Sequence, residues 1–138
     1  DEEIFMKDRF KSGEHWHTVE GAFYFNVGET HFLMYSGACY MNPTYFIGYA
    51  VAHGPVDADL RTLEWKKYPD ETTYAPLLCN TDWIEGMGHN SVLEEDGKHY
   101  IVYHGRDWGD AELSQDARSA RFDELIVDGE VLKVNLTK

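Results

Sequence analysis

Two ionisable residues, Glu20 and His89, interrupt apolar stretches that have the pattern of β-strands. A carboxyl group and an imidazole are the side chains that most often donate and accept protons in enzymes. Placing either one among apolar strand residues is costly unless it is paired or in contact with water. Both are therefore candidates for proton transfer. Each residue alone also has a plainer interpretation. Glu20 fits a solvated or ion-paired glutamate, and His89 fits a hydrogen-bonded core histidine.

A repeat of 68 residues relates these two positions. Residues 31–37 (HFLMYSG) align without a gap on residues 99–105 (HYIVYHG), and by the same offset Gly21 corresponds to His89. Equivalent residues of a repeat occupy equivalent places in neighbouring structural units. We therefore expect the acid and the imidazole to lie at nearly the same height on adjacent strands, and such clustering favours a functional role for both.

Each copy of the repeat has the pattern of a four-stranded antiparallel unit. Within each copy, segments with alternating apolar residues have the pattern of strands, and tight-turn sequences such as Asp-Gly separate them. The chain is also rich in aromatic residues, with 9 Tyr, 7 Phe and 4 Trp, which suit pleated surfaces. Four-stranded units repeated radially are the blades of a β-propeller. The predicted fold class is all-β, with a lead-in arm at 1–15, a first blade at 16–69, a connection at 70–85 and a second blade at 86–138.

Two blades are too few to close a propeller, which typically needs about 4–8. Isolated blades leave apolar faces and strand edges exposed. We expect that another chain supplies the missing blades, that copies of this chain associate, or that the sequence comes from a cleaved precursor.

The charge balance limits the classes of partner. With 25 acidic and 12 basic residues the net charge is −13, which disfavours nucleic acid and anionic membranes as partners. No apolar run approaches the length of about 18 residues that a membrane span needs. No targeting signal is visible, which favours a cytoplasmic location and leaves secretion open. Cys39 and Cys79 fit two thiols in a reducing compartment, or a single disulfide.

Several spaced motifs resemble glycoside hydrolase family 43, which contains β-xylosidases, α-L-arabinofuranosidases and arabinanases. The resemblance extends over nearly the whole chain and implies a five-bladed β-propeller that hydrolyses β-xylosidic or α-L-arabinofuranosidic bonds with inversion. The motifs that carry it are residues 17–25, 31–37, 88–91, 100–104, Arg118, 122–125 and 128–129.

The resemblance also implies roles for individual residues. Glu20 matches the family's general acid, and the implied substrate is a pentose-containing oligosaccharide. His89 matches a histidine at the centre of the channel that holds a central Ca²⁺ through water, although no cofactor is required for the reaction. Arg118 matches an arginine that contacts the substrate.

Aromatic residues flank the candidate acid. Trp16 and Phe23 lie close to Glu20 in the sequence, where they would desolvate its carboxyl group and pack on sugar rings. Phe23 also departs from the family, which often has a polar residue at that position.

Two catalytic aspartates of the family, the general base and a second one that tunes the acid, have no matching positions in this chain. We therefore expect hydrolysis to require a second chain that carries the N-terminal blades. The alternative is a non-catalytic fragment that binds carbohydrate or associates with itself.

Overall fold

A computed structural model describes residues 18–110 and 117–138. The predicted arm at 1–15 and Trp16 lie outside the described residues. Two four-stranded antiparallel sheets, with strand orders β1-β2-β3-β4 and β5-β6-β7-β8, confirm the all-β fold of two propeller blades. Their strands are β1 (Val19–Val27), β2 (Thr30–Gly37), β3 (Phe46–His53), β4 (Lys66–Lys67), β5 (Ile84–Glu95), β6 (Lys98–Asp107), β7 (Ser119–Asp128) and β8 (Val131–Asn135).

The hairpin between β5 and β6 shows how local sequence sets the register. Asp96 and Gly97 both have positive φ angles, +51° and +75°, which is the combination that a two-residue primed turn requires. This turn brings Glu95 directly opposite Lys98. The Asp-Gly sequence therefore begins the ladder that extends inward along both strands.

The strand ladders reproduce the 68-residue repeat on the inner side of each blade. Glu20 on β1 pairs with Ser36 on β2, and their equivalents Gly88 and His104 pair in the second blade. In both blades a β-bulge follows on the inner strand. A bulge re-aims the side chains beside it, so both blades redirect their inner strands at the same place.

The repeat ends at the third strand of each blade. Met34 pairs with Tyr49, whereas its equivalent Val102 pairs with Phe122. An offset of 68 from Tyr49 leads to Ala117, so the connection between β6 and β7 is longer than that between β2 and β3. The two blades are therefore equivalent in their inner strands and diverge outside them.

The hydrophobic core lies between the two sheets. Strand β5 packs against β1, β2 and β3, and each fully buried apolar side chain contributes about 1.5–3 kcal/mol. This packing fixes the position of one blade relative to the other. The buried members of the core are Phe32, Met34, Ile47, Tyr49, Val51, Leu78, Ile84, Met87, Ile101, Tyr103, Leu125 and Leu132.

A tyrosine hydroxyl joins the outer parts of the two blades. Tyr49 on β3 donates a hydrogen bond to the carbonyl oxygen of Glu130 and accepts one from the N–H of Leu132, each at 3.1 Å. Burial raises the pKa of Tyr49 to about 12, so the hydroxyl stays protonated. The turn between β7 and β8 is thereby tied to the first blade.

The opposite face of the second blade carries exposed apolar side chains around the ion pair of Lys98 and Glu124. Leu93, Phe122 and Ile126 are 40%, 52% and 38% exposed, and the rings of Phe122 and Tyr100 stack with centroids 4.9 Å apart. We call this surface the outer apolar face.

Two further observations bear on the sequence-based expectations. Cys39 and Cys79, both within the described residues, form no disulfide. Along residues 18–110 and 117–138, no helix is long and apolar enough to cross a membrane.

Candidate active site

Glu20 lies near the start of inner strand β1 and is half-buried. The hydroxyl of Tyr45 donates a hydrogen bond of 2.8 Å to Glu20 Oε1. Burial, and then this hydrogen bond to the carboxylate, raise the pKa of Tyr45 well above its usual range. Tyr45 is therefore a permanent hydrogen-bond donor to the candidate acid at any physiological pH.

His89 occupies the bulge of inner strand β5 in an unusual backbone conformation. Its φ angle is +53°, a left-handed geometry that costs a non-glycine residue about 1–2 kcal/mol. Gly21, its repeat equivalent, also has a positive φ of +63°. A Cβ added to Gly21 would lie 3.1 Å from both Cα and Cγ of His89. The two bulges are thus in direct contact, and the glycine makes room for the imidazole.

A buried serine joins the two bulges. The backbone N–H of His89 donates to Ser36 Oγ at 2.7 Å, and Ser36 lies directly opposite Glu20 in the ladder between β1 and β2. Ser36 and Tyr45 are both fully buried. The bulge of the second blade is thereby held against the strand that pairs with Glu20.

The ring of Tyr45 is held on two sides by the second blade. It stacks on the imidazole of His104 with centroids 5.5 Å apart and an interplanar angle of 10°. On another side it lies against the backbone of Gly88, where an added Cβ would come within 1.8 Å of the ring. Only glycine fits at position 88 while the ring keeps its place.

Arg118 is positioned at the edge of the same group. Its Nη1 donates to His104 Nε2 at 3.1 Å, so that nitrogen is an acceptor, because arginine can only donate. The guanidinium carbon lies 4.2 Å from the centre of the Tyr40 ring, within the range of a cation–π contact. Arg118, His104 and His89 line one open cavity of about 460 Å³.

A buried ion pair holds the loop between β2 and β3 against the second blade. Arg106 Nε and Glu85 Oε1 are 3.1 Å apart, and each side chain is 2% exposed. Arg106 also donates to the carbonyl oxygens of Tyr40 and Met41, at 2.7 and 2.9 Å. Since this loop carries Tyr40 and leads directly into Tyr45, the second blade orders the residues that contact Glu20 and Arg118.

The candidates from the sequence therefore have different surroundings. Glu20 and His89 lie on contacting bulges, and His89 and Arg118 share a cavity. Phe23 is partly buried and packs against the core, so its contact with a sugar stays a prediction, as does that of Trp16.

Sequence reasoning missed the residues that support the site. One signal in the sequence could have identified the ion pair. Glu85 and Arg106 lie directly opposite each other in the hairpin that begins at Asp96-Gly97, once the register shifts of its two bulges are included. The other missed residues were Ser36, Tyr40 and Tyr45.

Within 18–110 and 117–138, no group of three His, Cys, Asp or Glu side chains could hold a metal ion. Ca²⁺ takes about 6–8 oxygen ligands, and the imidazole of His89 offers none. These residues alone do not fit a calcium ion, so no chemical step is assigned to one.

Comparison with known proteins identifies related enzymes. No protein-family model matches the chain. A thermostable family-43 glycoside hydrolase of known structure is 32% identical, has a TM-score of 0.70 and is matched over 92% of this chain and 38% of its own. The α-L-arabinofuranosidase from Lactobacillus brevis is 23% identical, with a TM-score of 0.66 over 87% of this chain and 37% of its own. At that identity it supports the fold alone.

A curated protein sequence agrees with these structures. The β-D-galactofuranosidase XynD of Aspergillus niger is 29% identical over 123 residues, which are 86% of this chain and 32% of that protein. The chain thus spans about a third of this relative and less than two fifths of the structures above. The shared fold and the 32% identity confirm the resemblance: the chain is a relative of the family-43 glycoside hydrolases and corresponds to a part of their propeller.

Proposed function

We propose that this chain contributes the general acid, Glu20, to an inverting glycoside hydrolase. The observation that carries the proposal is the hydrogen bond from buried Tyr45 to Glu20 Oε1 at 2.8 Å, on a bulge that contacts His89. A solvated strand glutamate would have no need of a buried donor. The similarity to a thermostable family-43 glycoside hydrolase supports the same role.

The chemistry needs two carboxyl groups. In inverting hydrolysis an acid protonates the leaving oxygen while a base activates water, with the carboxyls about 6.5–9.5 Å apart. Glu20 supplies the proton in this proposal. The base is assigned to a blade outside this chain, because no residue here matches the family's aspartates.

The surface that receives the missing blades is the outer apolar face of the second blade. Phe122, at 52% exposure, stacks on Tyr100, which lies opposite Leu93. Ile126 is on the same face beyond Glu124, which pairs with Lys98. Exposed large apolar side chains on a sheet face mark an interaction site. We propose that a polypeptide with the N-terminal blades packs there and completes the channel.

The proposed substrate is a pentose-containing oligosaccharide with β-xylosidic or α-L-arabinofuranosidic bonds. Arg118 and His89 line the cavity of about 460 Å³ and would donate hydrogen bonds to sugar hydroxyls. Tyr40, 38% exposed beside Arg118, offers a ring for the C–H face of a sugar. A central Ca²⁺ would need its oxygen ligands from water and from the other blades, because the described residues supply no such group; His89 would contact it through water, and the reaction would not require it.

Replacement of the acid tests this function. The assay uses the assembled protein, meaning this chain with the polypeptide that supplies the other blades, and follows sugar release from the methyl β-xyloside, α-L-arabinofuranoside and β-galactofuranoside. Their alkoxide leaving groups must be protonated, whereas nitrophenolate leaves without a general acid. We expect Glu20→Gln to lower kcat by about 100-fold or more, the contribution of a general acid. Glu94→Gln, at an exposed position of β5, is the control and should leave the rate unchanged. An equal rate for Glu20→Gln and wild type would contradict the assignment.

The outer apolar face also supports a second candidate function. A second copy of this chain would cover the same surface and give a self-associating carbohydrate-binding protein. Sedimentation of the chain alone separates the two. A stable homo-oligomer that binds xylo- or arabino-oligosaccharides without hydrolysing them would favour this alternative.

A further inference from the structure

We propose that His104 is a positioning residue with two separate tasks in the site. The face of its imidazole fixes the ring of Tyr45, which is the donor to Glu20, and its Nε2 atom fixes the guanidinium of Arg118. The inference rests on the proposed function, in which Glu20 is the acid and Arg118 binds the sugar. It gives one residue a part in both the chemical step and substrate binding.

The ladders of the second blade leave space beside His104 for a residue of the first blade. His104 lies opposite Gly88 on β5 and opposite Ala120 on β7. Side chains directly opposite each other lie on the same face of a sheet, and here one neighbour has no side chain and the other has only a methyl group. The ring of Tyr45 occupies this space, against Gly88 and stacked on the imidazole at an interplanar angle of 10°.

The first task of His104 is to limit the movement of the Tyr45 hydroxyl. The ring below that hydroxyl contacts the imidazole and the backbone of Gly88, and the hydroxyl donates to Glu20 Oε1 at 2.8 Å. A misplacement of about 1 Å in a catalytic group can lower a rate by about 100-fold. Because the stack keeps the donor in place beside the acid, His104 acts on the chemical step through Tyr45.

The second task is performed by the Nε2 atom of the same imidazole. Arg118 Nη1 donates to it at 3.1 Å, and because a guanidinium only donates, His104 accepts at Nε2 and carries its hydrogen on Nδ1. The ring of Tyr40 also contacts the guanidinium, with 4.2 Å between its centre and the guanidinium carbon. An arginine side chain loses rotamer freedom when it is ordered. Ordering Arg118 before the substrate arrives lowers the cost of binding, so this contact acts on KM.

Two substitutions separate the tasks, because each keeps one contact and deletes the other. His104→Phe keeps a ring for Tyr45 and removes the acceptor for Arg118. In the assembled protein, assayed with the three methyl glycosides, we expect KM to rise about 5-fold to 10-fold and kcat to change by less than about twofold. His104→Gln keeps an acceptor and removes the ring, so kcat should fall about fivefold, with KM changed by less than about twofold.

A matched control and a double substitution test the assignment. His99→Phe makes the same replacement on the same strand, at a residue beside Phe25 and Glu94, and should leave kcat and KM unchanged. In an Arg118→Met background, His104→Phe should raise KM no further. Near-UV circular dichroism checks that each variant is folded. A folded His104→Phe protein with the wild-type KM overturns the proposal, as does a folded His104→Gln protein with the wild-type kcat.

Nuclear magnetic resonance reads both contacts without turnover. With ¹⁵N-labelled histidine in this chain, the assembled protein is measured at about pH 8, where an imidazole is ordinarily neutral, and His104→Phe identifies the signals of His104. We expect hydrogen on Nδ1, and an Nε2 resonance that shifts in Arg118→Met because the donor is lost. The ring protons of His104 should also shift in Tyr45→Leu, because stacked rings change each other's resonances. Hydrogen on Nε2, or signals of His104 that are unchanged in both variants, overturns the proposal.

The two kinds of measurement separate this inference from the proposed function. If the wild-type assembly hydrolyses none of the three glycosides, the proposed function fails. The resonances of His104 then still support or overturn its contacts with Tyr45 and Arg118.

Discussion

The inner strands of the two blades have the same ladder and the same bulge, but the order of the large residue and the glycine is reversed between them. The first blade has Glu20 followed by Gly21, and the second has Gly88 followed by His89. Gly21 makes room for His89, and Gly88 makes room for Tyr45. Each blade therefore contributes one reactive side chain and one glycine that accommodates a group of its neighbour.

A large residue in one blade again corresponds to a small residue in the other where the second strands end. The second blade has Arg106 at this place, and its repeat equivalent in the first blade is Ala38. Arg106 extends across the blade interface and binds the two carbonyl oxygens of the loop that begins at Ala38. The two copies of the repeat therefore differ where they meet, because the second blade has a charged side chain at this place and the first blade has a small one.

The largest expected effect on the free energy of unfolding comes from replacing Arg106. Arg106→Met removes the guanidinium that pairs with buried Glu85 and the donor to two carbonyl groups. We expect the free energy of unfolding to fall by about 3–5 kcal/mol, measured by urea denaturation. Arg121→Met, which breaks a contact with exposed Asp107, should cost no more than about 1 kcal/mol. A loss of about 1 kcal/mol or less for Arg106→Met as well would contradict a stabilising role for the contacts of Arg106.

The glycine that accommodates Tyr45 gives the next effect. In Gly88→Ala the new Cβ would lie 1.8 Å from the Tyr45 ring, so we expect a loss of about 3 kcal/mol from overpacking. Gly21→Ala should cost less, since its Cβ would lie 3.1 Å from His89. Gly28→Ala has a similar φ of +57° with open space around it, and it measures the backbone cost alone, about 1 kcal/mol. Denaturation should rank the three in this order, and equal losses would contradict the steric argument.

The backbone strain at His89 gives the smallest effect. Glycine adopts a φ of +53° without steric cost, so His89→Gly should be about 1 kcal/mol more stable than His89→Ala. At Glu94, an ordinary strand position in β5, the sign should reverse, with alanine the more stable by about 0.5–1 kcal/mol. The same preference at both positions would mean that His89 is not strained in solution.

The repeat explains why much of the fold could be predicted. Equal register in β1–β2 and β5–β6 follows from matched apolar patterns and tight turns, both of which are local. The prediction that Glu20 and His89 lie at one height needed only the offset between copies. The third strands followed a different offset, because the acidic connection before Arg118 is longer than the loop before Tyr45.

The supporting residues could not be predicted for a physical reason. Ser36 and Arg106 act across the blade interface through hydrogen bonds between residues 53–66 positions apart, and Tyr45 reaches Glu20 from 25 positions away. Nothing in the local sequence distinguishes these three from other strand and loop residues. Long-range packing decides which tyrosine meets a carboxyl group. Composition and repeats identify the reactive groups but do not identify what holds them.

The contact between Gly88 and Tyr45 also constrains how this sequence can change over generations. A side chain at position 88 is tolerated only in a protein that has already lost the ring at position 45. The reverse order passes through an intermediate with two groups in one space. Substitutions at the two positions are therefore historically ordered, and a lineage that has replaced Tyr45 can drift at position 88 until the return of the ring is blocked.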